Sequence, residues 1–247
     1  MVFLGPSLPL AEARELLPAT YLPPVAEGDV YRAALSQPQA IGIVDGYFEV
    51  IPAVWHKEIL FAMSRGVHVF GASSMGALRA AELAAFGMEG VGVIFEAYRD
   101  GRLEDDDEVA VLHGPAELGY PTLAEAMVNI RHSLTAACDA GVIGSPTRDT
   151  LSTAAKELFY RERSYERILG LGREAGVPGD ELGRLEAWLR RHAVDRKRED
   201  ARQLLRVIRQ RLENGFSPKS VAYNFEHTTL WERATVSAKS ESARRDP

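Results

Sequence analysis

Three short apolar runs mark the first seventy residues, Val2 to Leu4, Ala40 to Val44 and Val67 to Phe70, each followed by turn residues or by apolar positions at helical spacing. Short apolar runs followed by helical patterns suit strands of a covered sheet, so the pattern predicts βα units and a mostly parallel sheet. After Val44 the chain turns at Asp45-Gly46, passes Pro52 and takes up helical spacing over Ala53 to Ser64, which Gly66 ends. The third run leads into Gly71-Ala72-Ser73-Ser74-Met75-Gly76 and then a small-residue helix, Ala77 to Phe86, closed by Gly87. Alanines on that helix permit close packing on a sheet.

A fourth apolar run, Val109 to Leu112, follows the acidic stretch Glu104 to Glu108, and from Pro121 the strand signal disappears. Apolar residues at three- and four-residue intervals predict helices over Thr122 to Ala140, Thr147 to Gly170, Gly179 to Ala193 and Asp195 to Asn214. The predicted class is α/β: a small, mostly parallel sheet with flanking helices in the N-terminal half, followed by a helical C-terminal half. Residues 1–120 form the expected core, 121–214 a helical subdomain, and 215–247 an extension. Its last part, Thr235 to Pro247, is rich in Ser, Ala and charge without periodicity and reads as a disordered tail.

Composition narrows the function. The chain has 247 residues and a net charge of -6, enough length for a core without disulfides and the wrong sign for wholesale nucleic-acid binding. Residues 190–211 depart from that sign: Arg190, Arg191, Arg196, Lys197, Arg198, Arg202, Arg206, Arg209 and Arg211 face only three acidic residues. They form either a solvated face or a surface that docks an acidic protein or peptide. The single cysteine, Cys138, has no partner for a disulfide or zinc site, and there is neither a signal-peptide pattern nor a membrane-length apolar run. A cytoplasmic protein is expected.

The Gly71 to Gly76 turn joins a strand to a helix and has the logic of a nucleophile elbow, which needs small residues two positions either side of the serine. Ser74, flanked by Ala72 and Gly76, fits better than Ser73, whose partner at that distance is Met75. Ser73 stays as the alternative nucleophile, and either serine could instead simply cap the helix. The N–H of Met75 at the helix start is positioned to hold an oxyanion. A serine needs a base, and Lys57 is the one lysine before residue 156. It follows the second strand as Ser74 follows the third, so both belong at the carboxyl edge of a parallel sheet.

Histidines compete for that role. His56 adjoins Lys57, His68 lies in a strand, and a triad of Ser74, His113 and Asp45 is conceivable without support from spacing. The run Glu104-Asp105-Asp106-Asp107-Glu108 could hold a hard cation but lacks an EF-hand pattern and reads as solvated. Neither a Walker loop nor G-x-G-x-x-G occurs, so no nucleotide cofactor is expected, and no metal.

Taken in order, Val44-Asp45-Gly46-Tyr47-Phe48, Pro52-Ala53-Val54-Trp55-His56-Lys57-Glu58-Ile59-Leu60, Gly71-Ala72-Ser73-Ser74-Met75-Gly76-Ala77-Leu78-Arg79, Phe86-Gly87-Met88, Tyr98-Arg99-Asp100-Gly101 and Asp105-Asp106-Asp107-Glu108-Val109-Ala110 resemble the core of the TfuA family. The resemblance covers about residues 1–120. It implies a protein that accompanies a YcaO enzyme in peptide backbone thioamidation, a ribosomal-peptide modification. It also implies a Ser–Lys pair that hydrolyses the thiocarboxylated C-terminus of a ThiS-like sulfur carrier, with the YcaO enzyme, the carrier and the precursor peptide as partners. Carried onto this chain, the lysine is Lys57, and the serine falls in the turn where flank size selects Ser74. Two other readings stand beside it: a non-catalytic adapter that recruits substrate to YcaO, and a stand-alone serine esterase, which the strandless second half disfavours.

Overall fold

The structure is a computed structural model that describes residues 1–49, 51–233 and 235; the tail expected beyond Thr235 lies outside them. The elements run β1 (Val2–Phe3), α1 (Leu10–Leu16), β2 (Tyr21–Leu22), α2 (Asp29–Leu35), β3 (Ala40–Ile43), α3 (His56–Ser64), β4 (His68–Ala72), α4 (Met75–Leu83), β5 (Glu89–Val91) and α5 (Val93–Arg99). Then come α6 (Met127–Asp139), α7 (Ser145–Glu157), α8 (Tyr165–Glu174), α9 (Gly179–His192) and α10 (Arg196–Asn214).

The five strands are all parallel, in the order β2-β1-β3-β4-β5, as the apolar runs predicted. The three apolar runs became β1, β3 and β4. The edge strands β2 and β5 are two and three residues long, too short to carry a periodicity. Val109 to Leu112 forms no strand: it follows a turn of 3₁₀ helix at Asp106–Glu108, and His113 makes one isolated antiparallel bridge to Thr122.

Two compact units divide the chain, Met1–Leu103 with Arg198–Pro247, and Glu104–Lys197. In the first, Val2, Leu4, Ala40, Val44, Phe70, Ala72 and Val91 alternate onto one sheet face and pack against Leu8, Ala13 and Leu17, and against Ala201, Leu204, Leu205 and Ile208 of α10. The spacing of those last four places them along one stripe of the helix. Long-range polar contacts fix it there. Arg198 and Arg202 both pair with Glu12, Arg211 reaches Glu89 at 2.9 Å, and the buried Asp200 carboxylate accepts the Ile94 N–H at 2.8 Å, at the start of α5. The basic stretch is therefore not a free docking face. Arg209 pairs with Glu213, Arg190 with Glu186, and Lys197 Nζ donates to the Val109 carbonyl at 2.7 Å. The stretch also belongs to two helices, interrupted after His192.

The second unit is helical. Met127, Ile130, Leu134 and Ala137 of α6, Leu151 and Ala155 of α7, Ile168 and Leu169 of α8, and Leu182, Leu185 and Leu189 of α9 share one core. The long helix expected over Thr147 to Gly170 is broken after Glu157, and α8 restarts with Ser164 as its cap, Oγ accepting the Arg167 N–H at 3.1 Å. The break holds Arg163, whose guanidinium is fully buried and bonds to the Asp107 carboxylate, to the Asp107 carbonyl at 2.8 Å and to the Ala155 carbonyl at 3.1 Å.

The acidic run is thus not simply solvated. Lys156 Nζ contacts Asp105, Asp107 and Glu108 together, and Arg131 grips Glu108 through two hydrogen bonds of 2.9 and 3.0 Å. These three carboxylates could group around a metal ion, but the Lys156 ammonium already bridges them, with Arg131 and Arg163 balancing the remaining charge. Partial burial works against ionisation of Asp107, yet hydrogen bonds from Lys156 and Arg163 outweigh it and hold the carboxyl below the ordinary carboxylate range. A depressed folded-state value stabilises the fold above the unfolded value of about 3.9, and that stability is lost as pH falls through the folded value. Asp107→Asn should therefore cost about 2–3 kcal/mol at pH 7, with the difference from the parent shrinking below about pH 4. Urea unfolding at pH 7 and pH 3 measures it.

Candidate active site

In a doubly wound sheet, ligands collect at the carboxyl edge beside the switch point, here between β1 and β3. Asp45, just past β3, organises that point. Its buried carboxylate accepts the N–H groups of Gly5 and Ser7 at 2.9 and 3.1 Å and the Ser7 hydroxyl at 2.6 Å, tying the loop after β1 to the end of β3. Asp45 is thus committed to that loop rather than to a triad. His113 likewise bonds to the neighbouring Gly114 carbonyl at 2.8 Å.

The next strand delivers the serines. β4 ends at Ala72, and the Ser74 N–H bonds back to the Ala72 carbonyl at 2.8 Å, closing a three-residue turn around Ser73. Ser73 has φ +68°, one of four described non-glycine residues in left-handed conformation. Its side chain is fully buried and Oγ has no hydrogen-bond partner. Left-handed backbone costs about 1–2 kcal/mol and a buried unpaired hydroxyl about 1–3, so the fold stores several kcal/mol in this one residue. Ser74, 7% exposed, takes the cap position of α4.

By backbone geometry the elbow residue is Ser73, one position before the residue that flank size selects. The reason is local. Met75, which should crowd that register, lies over Gly46, where a Cβ would stand 2.7 Å from Met75 Cγ; the missing side chain makes the room. The same closeness seats α4: a Cβ on Gly76 would lie 1.8 Å from the Ile43 carbonyl oxygen, and the Gly76 N–H reaches the Val44 carbonyl at 3.3 Å. Of the first helical N–H groups, those of Gly76, Ala77 and Leu78 are taken up by Val44 and Ser74, and the remaining one is that of Met75.

Lys57 stands in the first turn of α3 and so at the same edge. Its Nζ donates to Thr228 Oγ1 at 3.0 Å and lies 5.4 Å from the centroid of the Phe225 ring. Since Ser73 Oγ has no partner, lysine and Ser73 are not in direct hydrogen-bond contact. The neighbouring Glu58 fixes the helix start: buried, it accepts from Gly28 at 2.8 Å, Trp55 at 3.2 Å and Tyr31 at 3.2 Å, joining the beginnings of α2 and α3. Burial pushes its carboxyl above the ordinary range, against the three N–H groups that favour the anion. His56 bonds to Glu82 at 2.8 Å, and Arg79 bridges Glu82 and the Val54 carbonyl. Partial burial opposes ionisation of Glu82, but His56 and Arg79 overcome it and hold its carboxyl low.

Fold and site together define a parallel α/β protein whose candidate chemistry sits on a strained serine turn at the carboxyl edge. Residues 45–164 match the model of the TfuA-like protein family, so across that stretch the chain is similar to TfuA-like proteins. The match includes Lys57, both serines and the acidic run. It reaches further into the helical half than the resemblance near residue 120, and it starts at Asp45 rather than at residue 1. No curated protein matches the chain. Among the described residues no helix is long and apolar enough to cross a membrane.

If the strain at Ser73 is kept for function, relieving it should stabilise the protein. Ser73→Gly removes both the left-handed penalty and the orphan hydroxyl but adds backbone freedom to the unfolded chain, so the net gain should be about 1 kcal/mol, or roughly 2–4 °C in Tm. Calorimetry of the two proteins reads this, and an unchanged or lower Tm refutes the strain argument.

Proposed function

We propose that this chain acts as a TfuA-like protein, serving a YcaO enzyme in peptide backbone thioamidation by hydrolysing the thiocarboxylate of a ThiS-like sulfur carrier. The observation that carries the reading is the serine turn: a strained residue with a buried, unpartnered hydroxyl beside a helix N-terminus, on the edge that also bears Lys57. A fold tolerates such a combination where it is used.

In this mechanism Lys57, as the neutral amine, takes the serine proton while the serine oxygen attacks the terminal thiocarboxylate carbon. The oxyanion forms opposite the Met75 N–H, and hydrosulfide leaves as the acyl-enzyme ester forms. Water then cleaves the ester, so thiocarboxylate and water become carboxylate and hydrogen sulfide, and the serine is regenerated. No cofactor is required. The geometry favours Ser73 as nucleophile; Ser74 keeps a claim because it has the greater solvent access. A non-catalytic adapter is the second reading, supported by the engagement of Lys57 with Thr228 rather than with Ser73.

Alanine variants decide between them. Ser73→Ala and Lys57→Ala should each lower conversion of a thiocarboxylated carrier to its carboxylate by a factor of a hundred or more, about 3 kcal/mol in barrier, and the double variant should be no worse than either single one. Binding to the YcaO enzyme should survive. Loss confined to Ser74→Ala shifts the nucleophile by one residue, and full activity in all three variants leaves the adapter.

A further inference from the structure

Thr228 lies 171 residues beyond Lys57 and outside the matched family region. The segment that brings it back runs along α3 against the chain direction. The Ser217 carbonyl meets His68 Nε2 at 2.9 Å, the Lys219 N–H meets the Gly66 carbonyl at 2.8 Å, and the Tyr223 hydroxyl donates to the Leu60 carbonyl at 2.7 Å. Phe225 then packs on Phe61 with ring centroids 5.5 Å apart, and Thr228 arrives at Lys57 in the first turn.

The end of this strap is pinned. Trp231 is 3% exposed and contacts Tyr31, Phe61 and Phe225 at centroid distances of 5.2–5.4 Å. Thr228 caps the helical turn that carries it, Oγ1 accepting the Trp231 N–H at 3.3 Å. A hydroxyl oxygen has two lone pairs. One goes to Trp231 and the other to Lys57 Nζ, so a backbone fixed by four aromatic rings aims the oxygen that receives the lysine.

We propose that Thr228 is a positioning residue for Lys57: it holds one N–H of the amine so that the other N–H and the lone pair are left for the serine turn. The inference rests on the hydrolase reading above. Physical need supports it, because a lysine head on four flexible carbons loses much rotamer freedom when fixed, and a proton acceptor works only within hydrogen-bond reach. The Phe225 ring lies on one side of the Lys57 head, and one N–H held by Thr228 leaves the other N–H and the lone pair available.

Full-length Thr228→Val, Thr228→Ser, Thr228→Asp and Lys57→Ala would be assayed for hydrolysis of a purified thiocarboxylated ThiS-like carrier. Thr228→Val keeps the shape and loses the acceptor; kcat should fall about tenfold to a hundredfold with KM unchanged, and Thr228→Ser should restore it. Thr228→Asp keeps the helix cap but pairs with the ammonium, so its rate should be lost near neutral pH and recover as pH rises, while its melting temperature stays that of the parent. A purely structural Thr228 reverses this pattern: Thr228→Asp is active, and Thr228→Val loses stability without losing kcat. That result, or a kcat in Thr228→Val equal to or above the parent while Lys57→Ala is inactive, overturns the positioning role alone. An active Lys57→Ala overturns the hydrolase reading and this inference together.

Discussion

A helix can begin directly on the end of a neighbouring strand only where no side chain stands between them, and Gly76 meets that condition with no margin. A Cβ there would lie 1.8 Å from the Ile43 oxygen, far inside van der Waals contact. Because α4 starts so close to β3, the turn from β4 must double back within three residues, and Ser73 absorbs the reversal as a positive φ. Gly46 yields to Met75 on the same contact, and the adjoining Asp45 carries the constraint to the loop after β1. The carboxyl ends of β1, β3 and β4 are therefore held by one continuous set of short contacts, a rigid support of the kind a reacting group requires.

How much of this the sequence disclosed depended on length scale. Val2 to Leu4, Ala40 to Val44 and Val67 to Phe70 were legible as strands because both sheet faces are covered and, His68 apart, no polar residue interrupts them. The helix closed by Gly87 was legible because that glycine has φ +101° and ends the helical run. The short edge strands β2 and β5 lie in no apolar run, and the seven-residue helices α1, α2 and α5 fall below the window in which periodicity can be seen. The site was half legible. The turn and Lys57 stood out by composition, whereas the position of the strain within the turn depended on Gly46, 29 residues from Met75 and silent until the two are in contact.

Charge was the least legible quantity. The excess of arginine along residues 190–211 and the block of carboxylates at 104–108 look in sequence like two exposed patches of opposite sign. In the fold each is largely answered within its own unit: Glu12 and Glu89 serve α10, and Lys156, Arg131 and Arg163 serve the carboxylates. Partners so far apart in sequence leave no local signature, since an i,i+4 pair can be read from spacing and a pair 190 residues apart cannot. Removing one member of such a set strands a charge and costs more than an exposed pair is worth.

The discontinuity of the first unit bears on how the protein is made. The sheet is complete in sequence by Val91, but the helix that covers the face of Val2, Phe70 and Ala72 comes only after the whole of Glu104–Lys197. At a synthesis rate of roughly 5–20 residues per second, the ribosome leaves that apolar face bare for about 5–20 seconds. The helical unit can fold in that interval. A nascent chain with an open sheet face is a natural client for a chaperone, and a message that pauses within the inserted region would lengthen the exposure.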